Sequence, residues 1–172
     1  MTTSDGLTIR EAQPADWALI WPFWQRIVAA GDTYMWEPSI DEADARTSWM
    51  QPAPAVVFVA ERADAERADN VVATAFLRPA QPGLGDHVAN AAFMVDPDHG
   101  GGGIGRRLAE HVMAHARELG YTAMQFNAVV ATNTRAVELW RSLGFSVLAT
   151  VPSAFRHATL GQVGVHIMHR EL

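Results

Sequence analysis

Cysteine and lysine are both absent from this chain of 172 residues. Without cysteine there is no disulfide framework, no zinc-thiolate centre and no thiol nucleophile. That absence suits a reducing compartment. Without lysine, all thirteen basic residues are arginine, a bias from which no function follows. No apolar run approaches the ~20 residues that a membrane helix needs. The opening MTTSDGLTIREAQPAD lacks the basic and apolar segments of an export signal. The expectation is a cytoplasmic protein that engages no membrane. Positive charge is also short, with a net charge of −6. A nucleic-acid surface needs a basic face for the phosphates, so no nucleic-acid partner is expected. The balance leans instead towards cationic or amine-bearing partners.

What remains is ordinary globular material, 49% apolar and 19% charged, long enough for one domain over 1–172 that buries most of its apolar surface. LTIREA (7–12) reads as a strand. Asp16 to Ala30 carries Trp17, Ile20, Trp21, Trp24, Ile27 and Val28 at helical spacing, with Gly31 as its stop. Ser39, after the aromatic loop GDTYMWEPS (31–39), reads as the N-cap of a helix through Met50. The β-branched runs 55–62 and 70–79, joined by ADAERAD, form a hairpin, and 87–95 is the next strand. A helix over 103–120, a strand over 122–130 and a helix over 132–144 follow, then strands 145–151 and 162–170. The order is β-α-α-β-β-β-α-β-α-β-β. Strand 87–95, helix 103–120 and strand 122–130 make a βαβ unit, which requires a right-handed crossover and a parallel pair. The fold class is α/β, a mixed, mostly antiparallel sheet flanked by helices.

Four consecutive glycines, Gly100 to Gly103, stand between the 87–95 strand and the next helix. A turn needs one or two. A P-loop is excluded because no Gly-Lys-Ser/Thr ending follows. Gly100, Gly102 and Gly105 satisfy the bare dinucleotide pattern, but four residues separate them from their strand, and the next strand (Gln125-Phe126-Asn127) brings no acidic residue. The remaining reading is a phosphate nest at a helix N-terminus, where free N–H groups face an anion. Arg106 and Arg107, cations where the helix dipole disfavours them, fit a bound anion.

The same residues resemble the GCN5-related N-acetyltransferase (GNAT) family. Its signature is a strand ending V-x-P, then R/Q-x-x-G-x-G/A opening a helix. Here Val95-Asp96-Pro97 precedes Gly100 to Gly105. The downstream pattern N-x-x-A-x-x-L-Y-x-x-x-G-F is met by Asn133, Ala136, Leu139, Trp140, Gly144 and Phe145. The motifs cover the core from about 55 to 151 and are separated by the right elements. The resemblance implies an enzyme, an acetyl-CoA-dependent N-acetyltransferase, with its central parallel strands splayed around the thioester. Backbone groups of Phe93, Met94 and Val95 would pair with the pantetheine arm. The amides of Gly101, Gly102, Gly103, Ile104, Gly105 and Arg106 would cradle the pyrophosphate, and Asn133 would contact the cofactor. A homodimer is a state the family often adopts. Two departures stand out: Gly100 replaces the usual Arg or Gln, and Trp140 replaces the usual Tyr. An indole cannot act as a general acid.

For the acceptor, the resemblance points to the amine of a small molecule, an amino acid or analogue. Asn90 and Asn127 interrupt apolar strands. Each is either a structural hydrogen-bonding group or an orienting residue for the acceptor; as catalytic candidates they match the branch that acetylates proline analogues such as azetidine-2-carboxylate. Tyr34, Trp36 and Glu37 of the 31–39 loop are the expected pocket wall, with Glu37 or Asp32 drawing an ammonium. Arg156 and His157 of the 153–161 loop are candidates for a substrate carboxylate. Protein N-termini, antibiotic amines and a non-catalytic acyl-CoA-binding module stay open as alternatives. His111 and His115 have i,i+4 spacing, but no H-E-x-x-H glutamate and no third ligand, so no metal is expected.

Overall fold

Alternating apolar residues along each extended run place one set of side chains on each face of a single sheet. The computed structural model describes residues 6–63 and 71–172. The elements are β1 (Leu7–Glu11), α1 (Trp17–Ala29), α2 (Glu42–Trp49), β2 (Val56–Arg62), β3 (Val71–Pro79) and β4 (Val88–Val95). They continue with α3 (Ile104–Glu118), β5 (Ala123–Val130), α4 (Thr134–Ser142), β6 (Ser146–His157) and β7 (Gly161–Glu171). The seven strands lie in the order β1-β2-β3-β4-β5-β7-β6. All neighbours are antiparallel except β4 and β5, the two strands of the βαβ unit. The observed element order is the one expected. Most of the polar linker between β2 and β3 lies outside the described residues.

Two departures from the expected boundaries have a local cause in the structure. The second helix begins at Glu42 rather than directly after Ser39, because Asp41 is the cap: its carboxylate accepts the Asp44 N–H at 2.9 Å. Ile40 is instead held in a turn, its N–H bonding the Glu37 carbonyl. The expected 153–161 loop is mostly strand. β6 runs on to His157 through an irregularity between Val151 and Phe155, where Ser153 takes φ 55°. Pro152 ends the apolar run without ending the strand, since β6 is an edge strand and its outer side needs no N–H donor.

Helices cover both faces. On one, Phe58, Ala60, Leu77 and Ala91 pack beneath Ile104, Leu108 and Val112 of α3 and Val137 and Trp140 of α4. On the other, Val57, Val59, Phe76 and Met94 pack beneath Trp17, Trp24 and Val28 of α1 and Trp49 of α2. Trp49 is fully buried and its indole is satisfied, donating to the Thr74 hydroxyl at 3.0 Å. A line of aromatic contacts runs from Trp24 through Trp36 to Tyr34, with ring centroids 5.1 and 5.5 Å apart. It carries the α1–α2 loop from the core to the site.

The parallel pair is short. β4 and β5 are in register only at Val88↔Ala123 and Ala89↔Met124. Beyond that point they diverge, and the Asn90 side chain bridges the opening by donating from Nδ2 to the Gln125 carbonyl at 2.9 Å.

Candidate active site

The gap between the diverging strands is edged by β4 backbone. The Asp96 N–H bonds Val72 on β3, and hydrogen-bonded positions alternate along an antiparallel pair. Phe93 and Val95 therefore turn their N–H groups towards the gap, whereas Met94 turns its own to β3. The Met94 side chain is buried in the tryptophan layer. Of the three expected backbone contacts, the structure presents two to the gap. The Phe93 carbonyl is already engaged, accepting a hydrogen bond from the Tyr34 hydroxyl. Burial pushes the Tyr34 pKa up, so its proton stays on.

Past Val95, Asp96 caps a short 3-10 turn, accepting the Asp98 N–H at 3.0 Å. Arg26, at the end of α1, clamps this turn through Asp96 (2.7 Å) and Asp98 (2.8 Å). The chain then passes through Gly101, Gly102 and Gly103 at φ 105°, 61° and 72°. Three successive left-handed residues explain why glycines stand here. Gly103 is the N-cap of α3 and offers no capping side chain, which leaves the first-turn amides to an external acceptor. Among the described residues nothing stands within 4 Å of where a Cβ on Gly101 or Gly103 would lie, so the nest is open on their side.

The cations near this nest are more than those expected. The Arg106 guanidinium bonds the Ser142 hydroxyl at 2.6 Å and approaches Glu110 on its own helix. Arg107 reaches the Leu7 carbonyl. Besides them, Arg135 of α4 comes within 4.0 Å of the Cβ position of Gly100, and Arg62 of β2 within 3.4 Å of that of Gly102. Arg135 thus stands beside the position where the family signature has Arg or Gln. No periodicity marks it, because it is delivered by α4.

The nest, the β4 edge and the start of α4 enclose a groove of about 700 Å³, lined by residues including Val95, Gly101, Gly103, Gly105, Arg106, Asn133 and Arg135. On the other side of Phe93 lies a second cavity of about 390 Å³. Thr33, Tyr34, Phe93, Asn133, Ala136 and Trp140 line both, so the two spaces meet at the strand opening. The Asn133 side chain caps α4 by accepting the Ala136 N–H at 3.3 Å. Trp140 packs against Phe93 and Phe126, with centroids 5.0 and 4.6 Å away. The Thr33 hydroxyl is buried at this junction with no hydrogen-bond partner among the described residues.

The smaller cavity brings together four of the residues singled out from sequence: Tyr34, Trp36, Asn90 and Asn127. Asn127 is exposed rather than buried. It sits where the β5–β7 register slips between Phe126 and Val129, and accepts a hydrogen bond from Gln125 at 2.8 Å. Glu37, Arg156 and His157 are not among the lining residues. His157 instead holds the tip of the β6–β7 hairpin, its Nδ1 accepting the Thr159 and Leu160 N–H groups. That tip is tied to the aromatic loop by the Ala158 N–H on the Gly31 carbonyl. Phe76 and Arg78 of β3 were missed by sequence reasoning, although both line the cavity. Among the described residues no Asp, Glu or His lines it. His111 and His115 lie elsewhere, edge-on against Phe58, and burial lowers the His111 pKa.

Residues 17–145 match the model of the acetyltransferase (GNAT) family. A solved structure described as a GCN5-related N-acetyltransferase from Kribbella flavida is 46% identical and superposes with a TM-score of 0.92, over 99% of this chain and 100% of that one. The L-amino acid N-acyltransferase MnaT of Escherichia coli is 29% identical over 157 residues, 85% of this chain and 83% of that protein. N-acetyltransferase aca1 of Schizosaccharomyces pombe is 36% identical over 81 residues, a match spanning 47% of this chain and 39% of that protein.

Proposed function

The chain belongs to the acetyltransferase (GNAT) family, and from that premise we propose that it transfers an acetyl group directly to the amine of a small molecule, an amino acid or analogue. It is an N-acetyltransferase, and acetyl-CoA, the family's cosubstrate, supplies the activated acetyl group. The residues present fit that cosubstrate. The nest has open amides at a helix N-terminus, Arg135 and Arg62 bring positive charge, and the β4 edge offers N–H donors beside a groove of about 700 Å³. In this reading, Gly101 to Arg106 bind the pyrophosphate through backbone amides. Phe93 and Val95 align the pantetheine arm, and the Phe93 N–H polarises the carbonyl. Asn133 and Trp140 shape the junction between the two spaces.

One observation carries the acceptor assignment. The second cavity opens onto the same strand gap as the groove and shares six residues with it. Its volume, about 390 Å³, falls in the range of small-molecule sites. The similarity to an L-amino acid N-acyltransferase supports the same class. Tyr34 and Trp36 wall the cavity, while Asn90 and Asn127 orient the acceptor, azetidine-2-carboxylate and related imino acids being within the class. The protein acts in the cytoplasm, without a membrane or nucleic-acid partner; a homodimer is compatible with this reading.

The test is thiol release from acetyl-CoA with L-amino acids, imino acids, polyamines, N-terminal peptides and aminoglycosides, with products identified by mass. Release with a small amino or imino acid is expected. Acetyl-CoA binding without release for any amine would instead mark an acyl-CoA-binding module. Asn127→Ala should lower kcat/KM for the best acceptor by roughly tenfold, the worth of one hydrogen bond; unchanged turnover would remove Asn127 from the site.

A further inference from the structure

We propose that Arg78 recognises an anionic group on the acceptor, so that the substrate is an amine that also carries a carboxylate. The inference rests on reading the smaller cavity as the acceptor site. Among the described residues, Arg78 is the one charged residue lining that cavity, whose other walls include Tyr34, Trp36 and Phe76. It stands directly opposite Asn90 in the β3–β4 register, near the end of the gap where β4 and β5 are still paired.

Its surroundings hold the guanidinium in place and leave its charge uncompensated by the described residues. Phe76, two residues earlier on the same strand, presents its ring 5.1 Å from the guanidinium carbon. Gln51 accepts from Nη1 at 3.0 Å, and its own amide is tethered to the Ser48 carbonyl at 2.7 Å. Both partners are neutral. Among the described residues no carboxylate forms an ion pair with Arg78, whereas Arg10 and Arg26 each hold two. A guanidinium has five N–H donors in a planar fork suited to a carboxylate. One is used here by Gln51.

The same cation selects against the opposite class. A polyamine or aminoglycoside would bring further ammonium groups towards a like charge in a half-enclosed aromatic space, with no acid among the described lining residues to receive them. The remaining wall is largely apolar and aromatic, which suits an uncharged acceptor side chain. The class is therefore an α-amino or imino acid with an apolar side chain.

The test compares L-methionine and L-phenylalanine with their primary carboxamides, by CoA release at equal free-base concentration, since amidation lowers the amine pKa. The wild-type enzyme should favour the acids by roughly 10- to 100-fold in kcat/KM, the worth of a charge-assisted bond. Arg78→Met should bring the ratio to about one, with the acetyl-CoA Kd unchanged. Arg78→Lys should keep part of the preference, as a point charge without the fork. Robust CoA release with carboxamides or polyamines equal to that with the acids, in the wild type itself, overturns the proposal while leaving the transferase reading intact. Acetyl-CoA binding with no release from any amine overturns both.

Discussion

Tyr34 stands at the junction of the groove and the cavity, and its hydroxyl donates to the Phe93 carbonyl. That bond fixes the aromatic loop to the strand edge beside the reacting centre. Tyr34→Phe should lower unfolding free energy by about 1 kcal/mol in urea melts, because a buried carbonyl loses its donor. The amine KM should rise several-fold as the loop loosens. Among the described residues lining the cavity, none can take a proton near neutral pH: there is no Asp, Glu or His, and burial holds the Tyr34 proton in place. On the proposed reading of that cavity as the acceptor site, the amine arrives neutral. With a given acceptor, kcat/KM should rise tenfold per pH unit up to that acceptor's own pKa. An inflection between about pH 5 and 8 that stays put when the acceptor is changed would reveal an enzyme base instead.

The loop from Gly100 to Gly103 and the helix it opens act as one device. Gly103 at φ 72° and ψ 13° ends the left-handed passage and begins α3. A methyl there meets no atom of the described residues within 4 Å, so Gly103→Ala costs backbone strain rather than a clash with them. The cost is about 1–2 kcal/mol for a non-glycine residue in this region. Calorimetric titration should show the acetyl-CoA Kd rising about tenfold, with the amine KM unchanged. The strain and the methyl both fall on the amide nest. This element is legible in the chain's own residues. A run of left-handed positions demands glycine whatever packs around it, and Val95-Asp96-Pro97 marks the strand end that feeds it. The origin of the nearby cations is not legible there. Arg106 and Arg107 follow the glycines in the chain, yet their side chains turn to Ser142, Glu110 and Leu7, while Arg135 arrives from another helix.

The sheet is tied to the start of α1 at the β1–β2 edge by Arg10, which holds Asp16 below α1 and Glu61 on β2. Asp16 is buried, accepts from Arg10 at 2.7 and 2.9 Å, and also accepts the Gln13 N–H at 2.6 Å. The Arg10 guanidinium holds its carboxyl below the usual range. A depressed folded pKa means the stabilisation is fully present above the unfolded value of about 3.9 and is lost as pH falls through the folded one. Asp16→Asn should therefore cost about 1–3 kcal/mol at pH 7, a range that allows for Arg10 being partly exposed. The gap to the wild type should narrow below about pH 4 in urea unfolding series; a gap that persists there would show that packing, not charge, is at stake.

The element order, the apolar face of α1 and the need for glycine at 101–103 were legible in the sequence by itself, because periodicity and left-handed backbone are local demands. Trp17, Ile20 and Trp24 at helical spacing marked one apolar face of α1, and all three are buried. The tertiary structure decided how deep the strand gap runs and what lines the cavity beside it. β4 and β5 part after Ala89, a matter of long-range pairing with no signature in either strand. Arg78 reads as a strand end until β3–β4 register sets it opposite Asn90 and α2's exit brings Gln51 to it. Glu37, Arg156 and His157 have suitable chemistry in suitable loops. The hairpin extending to His157 and the turn at Glu37 give them other surroundings, since side-chain direction is set by pairing and not by residue type.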